Sequence, residues 1–266
     1  MLRFWLRWIL GWMPLHWRKE MMGELGQGMD TVVLTDQIRR LALTRGESLS
    51  SEDAMIFLLR LDTFFYAMQG RGAVRYGNGV HVKHRLMGYH EFFVARLTPG
   101  ERVLDVGCGK GELTRSMAQR GRVRVVGIDI NGDSVAKAKQ TPHPDVEFRV
   151  GDALAMGDIG LFDVVTLSNV LEHLPNRPEL LRRLVEQTAA SRLLLRVPLF
   201  ERDWRVPLKQ ELGVEWRLDP THETEYTQET FAMEMRAAGL MVRHQEIRWG
   251  EIWAEVSPFG REPKQA

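Results

Sequence analysis

The clearest chemical signal in the sequence is a glycine-rich turn after an acidic residue, within VLDVGCGKGELT at positions 103–114. Gly107, Gly109 and Gly111 allow a sharp turn and leave bare peptide groups for a ligand at the start of the next helix. This spacing alone would also serve a dinucleotide site. Asp105 favours another ligand, because its carboxylate would repel a pyrophosphate and suits a group that carries an ammonium. The turn therefore predicts a cofactor site that does not bind phosphate.

Further acidic and polar residues follow three later strand-like runs. Asp129 ends VVGID, Asp152 follows FRVG, and Ser168 and Asn169 follow DVVTL. Each acid taken singly is as well explained as a helix cap or a turn residue. Their recurrence at the ends of successive strands, where open α/β sheets bind ligands, predicts one shared site instead.

In this order and spacing, the four motifs resemble those of the class I S-adenosylmethionine-dependent methyltransferases. The resemblance covers residues 103–174 by motif and most of 80–256 by strand order. It implies that S-adenosyl-L-methionine is the cofactor and that the glycine loop holds its methionine part. It also implies that Asp105 reaches the cofactor's amino group.

The same resemblance assigns the nucleoside end of the cofactor. Asp129 would bind the two ribose hydroxyls, Asp152 would accept a hydrogen bond from the adenine amino group, and the Ala153 amide would meet the ring. Ser168 and Asn169 would lie at the mouth of the site. The full set implied for the cofactor is Asp105, Gly107, Gly109, Gly111, Asp129, Ile130, Asp152, Ala153 and Asn169.

Candidate catalytic residues follow from what the acceptor needs. A sulfonium methyl group is already electrophilic, so the protein mainly aligns the acceptor and excludes water. A sugar hydroxyl is a poor nucleophile and benefits from a general base or a metal. Glu172 and His173, in VLEHL after the fourth strand, and His222 further on are the catalytic candidates. We expect His173 to be the base or to position the acceptor, whereas for Glu172 a structural role is favoured over a catalytic one.

Alternatively, these groups could bind a divalent metal. Glu172, His173, Asp203 and His222 could surround a cation, although no fixed ligand spacing supports this. Trp204 and Trp216 fall in the same charge-rich stretch, and such a mixture is typical of carbohydrate-binding clefts.

Basic residues cluster just before the glycine loop, in HVKHRLMGYHEFF at positions 81–93. An ordinary basic helix start would explain them. The segment also resembles bacterial methyltransferases encoded near polysaccharide and glycoconjugate enzymes. That resemblance implies that Lys83 or Arg85 holds the cofactor carboxylate or an anionic acceptor.

The pattern of elements predicts an α/β fold, a Rossmann-like seven-stranded, mostly parallel sheet with helices on both faces. Apolar runs predict strands at 102–106, 123–129, 146–150, 162–168, 191–197, 241–247 and 251–256, and amphipathic runs predict helices at 111–120, 131–140, 177–190 and 228–238. No helix separates the last two strands, so one of them must be antiparallel if they are neighbours.

Three regions are predicted along the chain: an apolar and aromatic segment at 1–29, a helical cap at 30–98, and a methyltransferase domain at 99–266. In the cap, a capped helix is expected to stop at Gly70, and another to run from about 83 to 97. The domain carries a long insertion at 197–226 after the fifth strand, without a regular period.

The first nineteen residues hold four of the eight tryptophans together with Arg3, Arg7, Arg18 and Lys19. The interrupted apolar run argues against a signal peptide and against a membrane span. The composition is typical of an interfacial helix that contacts a membrane peripherally. A helix that docks on its own domain, or on a second copy in a homodimer, explains it equally well.

Composition narrows the classes of partner. With 36 Lys and Arg against 35 Asp and Glu, the net charge of +1 argues against a nucleic-acid partner. Cys108 is the one cysteine, so the chain has no intrachain disulfide and fits a cytoplasmic protein, with the inner membrane surface as an alternative location.

Three functions are consistent with these features. The leading hypothesis is O-methylation of a sugar or glycolipid hydroxyl. Methylation of a small phenol, quinone or amine is the alternative, and a cofactor-binding interaction module without turnover is the third.

Overall fold

Two helices open the described part of this computed structural model, which covers residues 28–152, 155 and 159–260. Helix α1 spans Thr31–Glu47 and begins at Asp30, whose carboxylate accepts from the amides of Val32 and Val33. Helix α2 spans Ser51–Tyr76. Of the described helices, none is long and apolar enough to cross a membrane. The expectations for residues 1–19 lie outside the described residues.

The chain divides into two compact units, Met1–Asp62 and Thr63–Ala266. The second contains a single seven-stranded sheet in the order β3-β2-β1-β4-β5-β7-β6. Its strands are β1 Arg102–Val106, β2 Arg124–Asp129, β3 Val146–Val150, β4 Val164–Ser168, β5 Arg192–Pro198, β6 Leu240–Arg248 and β7 Glu251–Pro258. Only β7 runs antiparallel to its neighbours, β5 and β6. The predicted mostly parallel sheet is confirmed.

Helices cover both faces of this sheet. They are α3 Lys83–Met87, α4 Tyr89–Val94, α5 Glu112–Gly121, α6 Gly132–Lys139, α7 Arg177–Thr188, α8 Arg205–Glu211 and α9 Gln228–Ala237. Alternate residues of β1 serve the two faces: Leu104 packs with the core under α7 and α9, and Val103 packs with the core under α4 and α5. Burial on both faces explains why the parallel strands are continuous apolar runs in the sequence.

Two helix boundaries differ from those predicted. Helix α2 continues through Gly70 and Gly72 to Tyr76, so the expected stop at Gly70 is wrong. The helix expected at 83–97 is instead two short helices, because Gly88 between them adopts a left-handed conformation with φ +62.

The insertion after β5 is more regular than predicted. It contains a short 3-10 turn at Phe200–Arg202 and helix α8. Its two ends are joined where Leu199 and Tyr226 form an isolated bridge, and the Phe200 amide donates to the Tyr226 carbonyl at 2.7 Å. This closure brings the late part of the insertion back to the carboxyl edge of β4.

Candidate functional site

A cavity of about 870 Å³ lies at the carboxyl ends of β1, β2 and β4. Strand order reverses between β1 and β4, which is where open α/β sheets bind ligands. Of the predicted cofactor and catalytic residues, those that line this cavity are Gly107, Asp129, Ile130, Asp152, Asn169 and His173. Ala153 lies outside the described residues. The residues that line the cavity all fall between Val106 and Leu184.

The glycine loop after β1 packs so closely against neighbouring side chains that a side chain would not fit at two of its positions. Gly107 has φ +70, and a Cβ there would lie 2.4 Å from Val170 Cγ2. Gly111 has φ +78, and a Cβ there would lie 2.4 Å from Phe148 Cζ. Two requirements therefore coincide at these positions, a left-handed backbone and the absence of a side chain. Of the three glycines of the loop, Gly107 lines the cavity, where its bare backbone leaves room for a ligand.

Asp129, at the end of β2, is held by two backbone amides. Its Oδ2 accepts from the Gly109 amide and its Oδ1 from the Asn131 amide, each at 2.8 Å. A carboxylate oxygen has two lone pairs, so both oxygens can still accept from a ligand. A cavity with a bare glycine loop at one wall and this carboxylate at another fits an adenosyl cofactor with a ribose diol.

Asp105 lies beneath the loop rather than among the cavity-lining residues. It is 2% exposed and accepts hydrogen bonds from the hydroxyls of Thr114, at 2.6 Å, and Thr166, at 2.8 Å. Burial raises the pKa of its carboxyl to about 6. These contacts tie the loop, α5 and β4 together. The expected contact with the cofactor's amino group stays a prediction.

A hydrogen-bonded chain fixes the protonation of His173, which follows β4 in a short 3-10 turn. The Thr221 hydroxyl donates to Asp219 Oδ1 at 2.7 Å, and the same oxygen lies 2.9 Å from His173 Nδ1. Because Thr221 has a single hydroxyl hydrogen, Nδ1 of His173 must be the donor. Its Nε2 is then the basic nitrogen. Burial, and next His222, lower the pKa of His173, which keeps the ring neutral at neutral pH.

His222 is fixed in the same way by a different partner. Its Nδ1 lies 3.1 Å from Oε1 of Glu225, and the same oxygen accepts from the Leu218 amide. The other carboxylate oxygen of Glu225 pairs with Arg202. Burial acts to raise the pKa of Glu225, but the hydrogen bonds from His222 and Leu218 lower it overall. A carboxylate only accepts, so Nδ1 of His222 is the donor to Glu225.

Glu172 completes the group. It is fully buried, and neither oxygen of its carboxylate has a hydrogen-bond partner among the described residues. Burial raises its pKa to about 7. The backbone holds it in place, since its carbonyl accepts from the Glu223 amide at 2.7 Å.

These three side chains converge, as each contributes one atom within 4.8 Å of the others. We call Glu172, His173 and His222 the acceptor triad. Two imidazoles and a buried carboxyl group this close together can share a proton or surround a cation. Asp203, the fourth predicted metal candidate, is elsewhere: Arg205 binds it at 2.7 Å, and those hydrogen bonds lower its pKa to about 2.

Beside the acceptor triad lies a set of residues that the sequence analysis missed. Arg196 of β5 is buried, donates from Nε to Asn169 Oδ1 at 2.6 Å, and lies 3.1 Å from Glu251 Oε2. Its guanidinium carbon lies 3.8 Å from the centroid of the Tyr89 ring. An arginine within the apolar run LLLRV was the available signal, because buried charges need partners.

Known proteins share this architecture. A family model described as a methyltransferase domain matches residues 80–245. The chain is 31% identical over 156 residues to the 2-methyl-6-phytyl-1,4-hydroquinone methyltransferase of Synechocystis, which covers 54% of this chain and 48% of that protein. It is 40% identical over 83 residues to the ubiquinone biosynthesis O-methyltransferase of Burkholderia thailandensis, which covers 29% of this chain and 35% of that protein.

A solved structure with the same fold is the magnesium protoporphyrin IX methyltransferase of Synechocystis with bound S-adenosylmethionine. It matches with a TM-score of 0.50 and 21% identity, over 67% of this chain and 81% of that one. The chain spans about half or less of the length of the curated relatives described above. Because the family model covers more than half of the chain, the chain belongs to the class I S-adenosylmethionine-dependent methyltransferases.

Proposed function

We propose that this protein transfers the methyl group of S-adenosylmethionine to a hydroxyl of a small aromatic acceptor, a phenol or a quinol. The observation that carries the proposal is His173, which lines the cofactor cavity with a neutral ring and a basic Nε2. Bound S-adenosylmethionine would supply an electrophilic methyl group on its sulfonium. Gly107, Asp129 and Asp152 are the cavity-lining residues that would hold it.

His173 removes the hydroxyl proton of the acceptor. Its Nε2 takes the proton while Nδ1 keeps its hydrogen bond to Thr221, which is bonded in turn to Asp219. The Asp219 carboxylate, two hydrogen bonds away, stabilises the imidazolium that forms.

A bound divalent cation is the second way in which the acceptor triad would activate a hydroxyl. The specific observation in its favour is that two imidazole nitrogens and a carboxylate oxygen lie within 4.8 Å of one another. The carboxylate, that of Glu172, has no hydrogen-bond partner among the described residues. Such a mixed nitrogen and oxygen set suits a metal that leaves positions open for the acceptor. A cation held by these residues would lower the pKa of an acceptor hydroxyl.

An aromatic acceptor is favoured over the sugar or glycolipid that led the sequence-based hypotheses. Both curated relatives described above are named for quinone chemistry, and neither is named for a sugar. Trp204 and Trp216, which suggested a carbohydrate cleft, are not among the residues that line the cavity. Trp204 is 67% exposed, and the Trp216 ring packs against Phe200 at 5.2 Å.

The test is an assay of S-adenosylhomocysteine release with matched acceptors. We expect turnover with catechol and hydroquinone and none with methyl glucosides, and a loss of about 10²–10⁴-fold in His173→Ala. If a cation acts, a chelator abolishes turnover and magnesium or manganese restores it, whereas an unaffected rate excludes the cation. Turnover with the glucosides alone would overturn the aromatic assignment. Tight cofactor binding without turnover of any acceptor would favour the interaction module.

A further inference from the structure

Helix α2 carries a row of apolar side chains that are not buried in the described part of the chain. Leu58, Phe65 and Met68 are between 37% and 47% exposed, and Leu61 between them is half-buried. Their spacing alternates between three and four residues, which places all four on one face of the helix. We call these four residues the α2 seam.

The side of α2 away from this seam is already covered. Leu59 is buried, and one turn further on the Thr63 hydroxyl accepts a hydrogen bond from Lys209 Nζ at 3.0 Å. The helix therefore has one apolar face that is satisfied within the chain and a second one that is not. A second apolar face of this kind marks an interaction surface.

Charged residues flank the α2 seam, with opposite signs at its two ends. Glu52 and Asp53 lie in the first turn of α2, and Arg71 and Arg75 lie in its last two turns, all of them exposed. By the helical period, Asp53, Arg71 and Arg75 fall along the same edge of the seam. Neither arginine forms an ion pair within the described residues. Both are therefore available to a partner that carries acidic groups.

The apolar residues of the α2 seam are in register with a second copy of themselves. Consider two α2 helices packed antiparallel about a two-fold axis that is level with Thr63. Leu58 of one copy then faces Met68 of the other. Leu61 of one copy likewise faces Phe65 of the other. Every seam residue thus meets an apolar residue, because the seam is symmetric about its own midpoint.

The charges fit the same arrangement. The antiparallel pair places Asp53 of each copy between Arg71 and Arg75 of the other, on the same edge of the interface. A parallel pair would instead gather the acids of both copies at one end and the arginines at the other. Charge complementarity therefore favours the antiparallel direction.

The charges also distinguish a second copy from other occupants of the α2 seam. Residues 1–19 carry four Lys and Arg and no acid, so they would place positive charge beside Arg71 and Arg75. An anionic lipid surface would attract these arginines but repel Glu52 and Asp53. A second copy of α2 satisfies both ends at once.

We propose that α2 is the contact of an antiparallel homodimer, in which the α2 seams of two copies pack against each other. None of the residues that line the cofactor cavity belongs to α2. The dimer should therefore form equally well with and without S-adenosylhomocysteine.

Sedimentation equilibrium of the full chain tests the contact. We expect a mass of two chains, and Phe65→Glu should weaken the dimer at least about 100-fold, because the seam meets the new charge twice. Tyr66→Glu is the matched control, since Tyr66 is an exposed aromatic residue of the same helix that lies off the seam. Both variants should bind S-adenosylhomocysteine with wild-type affinity by calorimetry, which shows that they are folded.

Charge reversal tests the antiparallel direction. Asp53→Arg and Arg75→Glu should each weaken the dimer about 5- to 10-fold, and the double variant should dimerise more tightly than either single variant. A double variant weaker than both would overturn the antiparallel arrangement.

Four other results would overturn the dimer contact itself. They are a full chain that is monomeric at every concentration, a dimer that survives Phe65→Glu, equal weakening by Tyr66→Glu, and a dimer that is lost only when residues 1–19 are removed. If the monomeric chain binds anionic liposomes and Phe65→Glu abolishes that binding, the α2 seam contacts a membrane instead.

Discussion

At the scale of single residues, His173 and His222 share one arrangement that decides what their second nitrogen can do. Each uses Nδ1 as a donor to an oxygen that is fixed elsewhere, Thr221 in one case and Glu225 in the other. Nδ1 is therefore committed in both rings, and each ring contributes one nitrogen within 4.8 Å of a Glu172 carboxylate oxygen. The tautomers follow from hydrogen bonding alone, and the reactivity of the site follows from the tautomers.

Thr221 is the residue whose removal tests this account most directly. Thr221→Val deletes the oxygen that accepts from His173, so both tautomers and several ring orientations become accessible. We expect turnover to fall by about 10- to 100-fold, the usual effect of losing an outer hydrogen-bond partner, with S-adenosylhomocysteine affinity unchanged. Thr224→Val is the matched control, because the part of that threonine that bonds to Glu172 is its backbone amide. Equal turnover of the two variants would contradict the role of Thr221.

The buried carboxyl of Glu172 predicts a pH-dependent stability. Its pKa is about 7 in the folded protein against 4.5 ordinarily, so the folded state binds this proton more tightly. Wild-type stability should therefore fall, relative to Glu172→Gln, as pH rises from 4.5 to 7, and the difference should stay constant above that. The full change is about 3 kcal/mol, at roughly 1.4 kcal/mol per pH unit between the two pKa values.

Urea unfolding of metal-free protein between pH 4 and pH 8 measures this difference. The slope with pH, rather than the offset between variants, is the diagnostic quantity. Glu223→Gln, at an exposed neighbour, should remain parallel to the wild type throughout. A pH-independent difference for Glu172→Gln would show that the carboxyl titrates normally.

At the scale of elements, helix α2 shows where glycine ends a helix and where it does not. Gly72 lies inside α2, and a Cβ there would meet no atom within 4 Å. Gly77, just past the end, turns so tightly that a Cβ would lie 2.0 Å from the Val80 carbonyl oxygen. The same residue type is therefore replaceable at one position and required at the other.

Alanine substitutions at these two glycines should change stability in opposite directions. Gly72→Ala should raise the free energy of unfolding by about 0.5–1 kcal/mol, because alanine loses less backbone entropy in a helix. Gly77→Ala should lower it by about 1–3 kcal/mol, because backbone atoms must move apart. Chemical denaturation of both variants gives the comparison. A stabilised Gly77→Ala would mean that the turn relaxes freely.

How far the sequence predicted these elements depended on the range of the interactions. The glycine loop, the strand-end acids and Glu172–His173 are local motifs, and the pattern placed them correctly along the strands. His173 and Thr221 are 48 residues apart and meet because the insertion closes at Leu199 and Tyr226. No local period encodes that closure. The end of α2 was misplaced because the glycines at 70 and 72 cost too little to stop a long helix.

At the scale of the whole molecule, cofactor binding is linked to the sheet through Asp129. Asp129→Ala removes the carboxylate expected to bind the ribose and also two amide contacts of the loops. We expect affinity for S-adenosylhomocysteine to fall at least about tenfold by calorimetry. The thermal stabilisation by the ligand should shrink in parallel. Asp133→Ala, an exposed acid in the first turn of α6, should bind normally.

The tryptophan-rich residues 1–19 give a second prediction at this scale. If they contact a membrane surface, the full chain should sediment with anionic liposomes, and a variant without residues 1–19 should not, at unchanged cofactor affinity. A change of mass in solution on deletion, without liposome binding by the full chain, would instead favour a dimer contact.

The strand order also has a consequence for biosynthesis. Strand β7, which follows the other six strands of the sheet along the chain, pairs with β5 on one side and β6 on the other. Until Glu251–Pro258 leaves the ribosome, β5 keeps an open edge whose backbone groups can recruit another nascent chain. Glu251 belongs to β7, so Arg196 acquires its ion-pair partner only after β7 has emerged. Chaperone protection during that interval is therefore expected to matter more for the yield of active protein than for the stability of the finished fold.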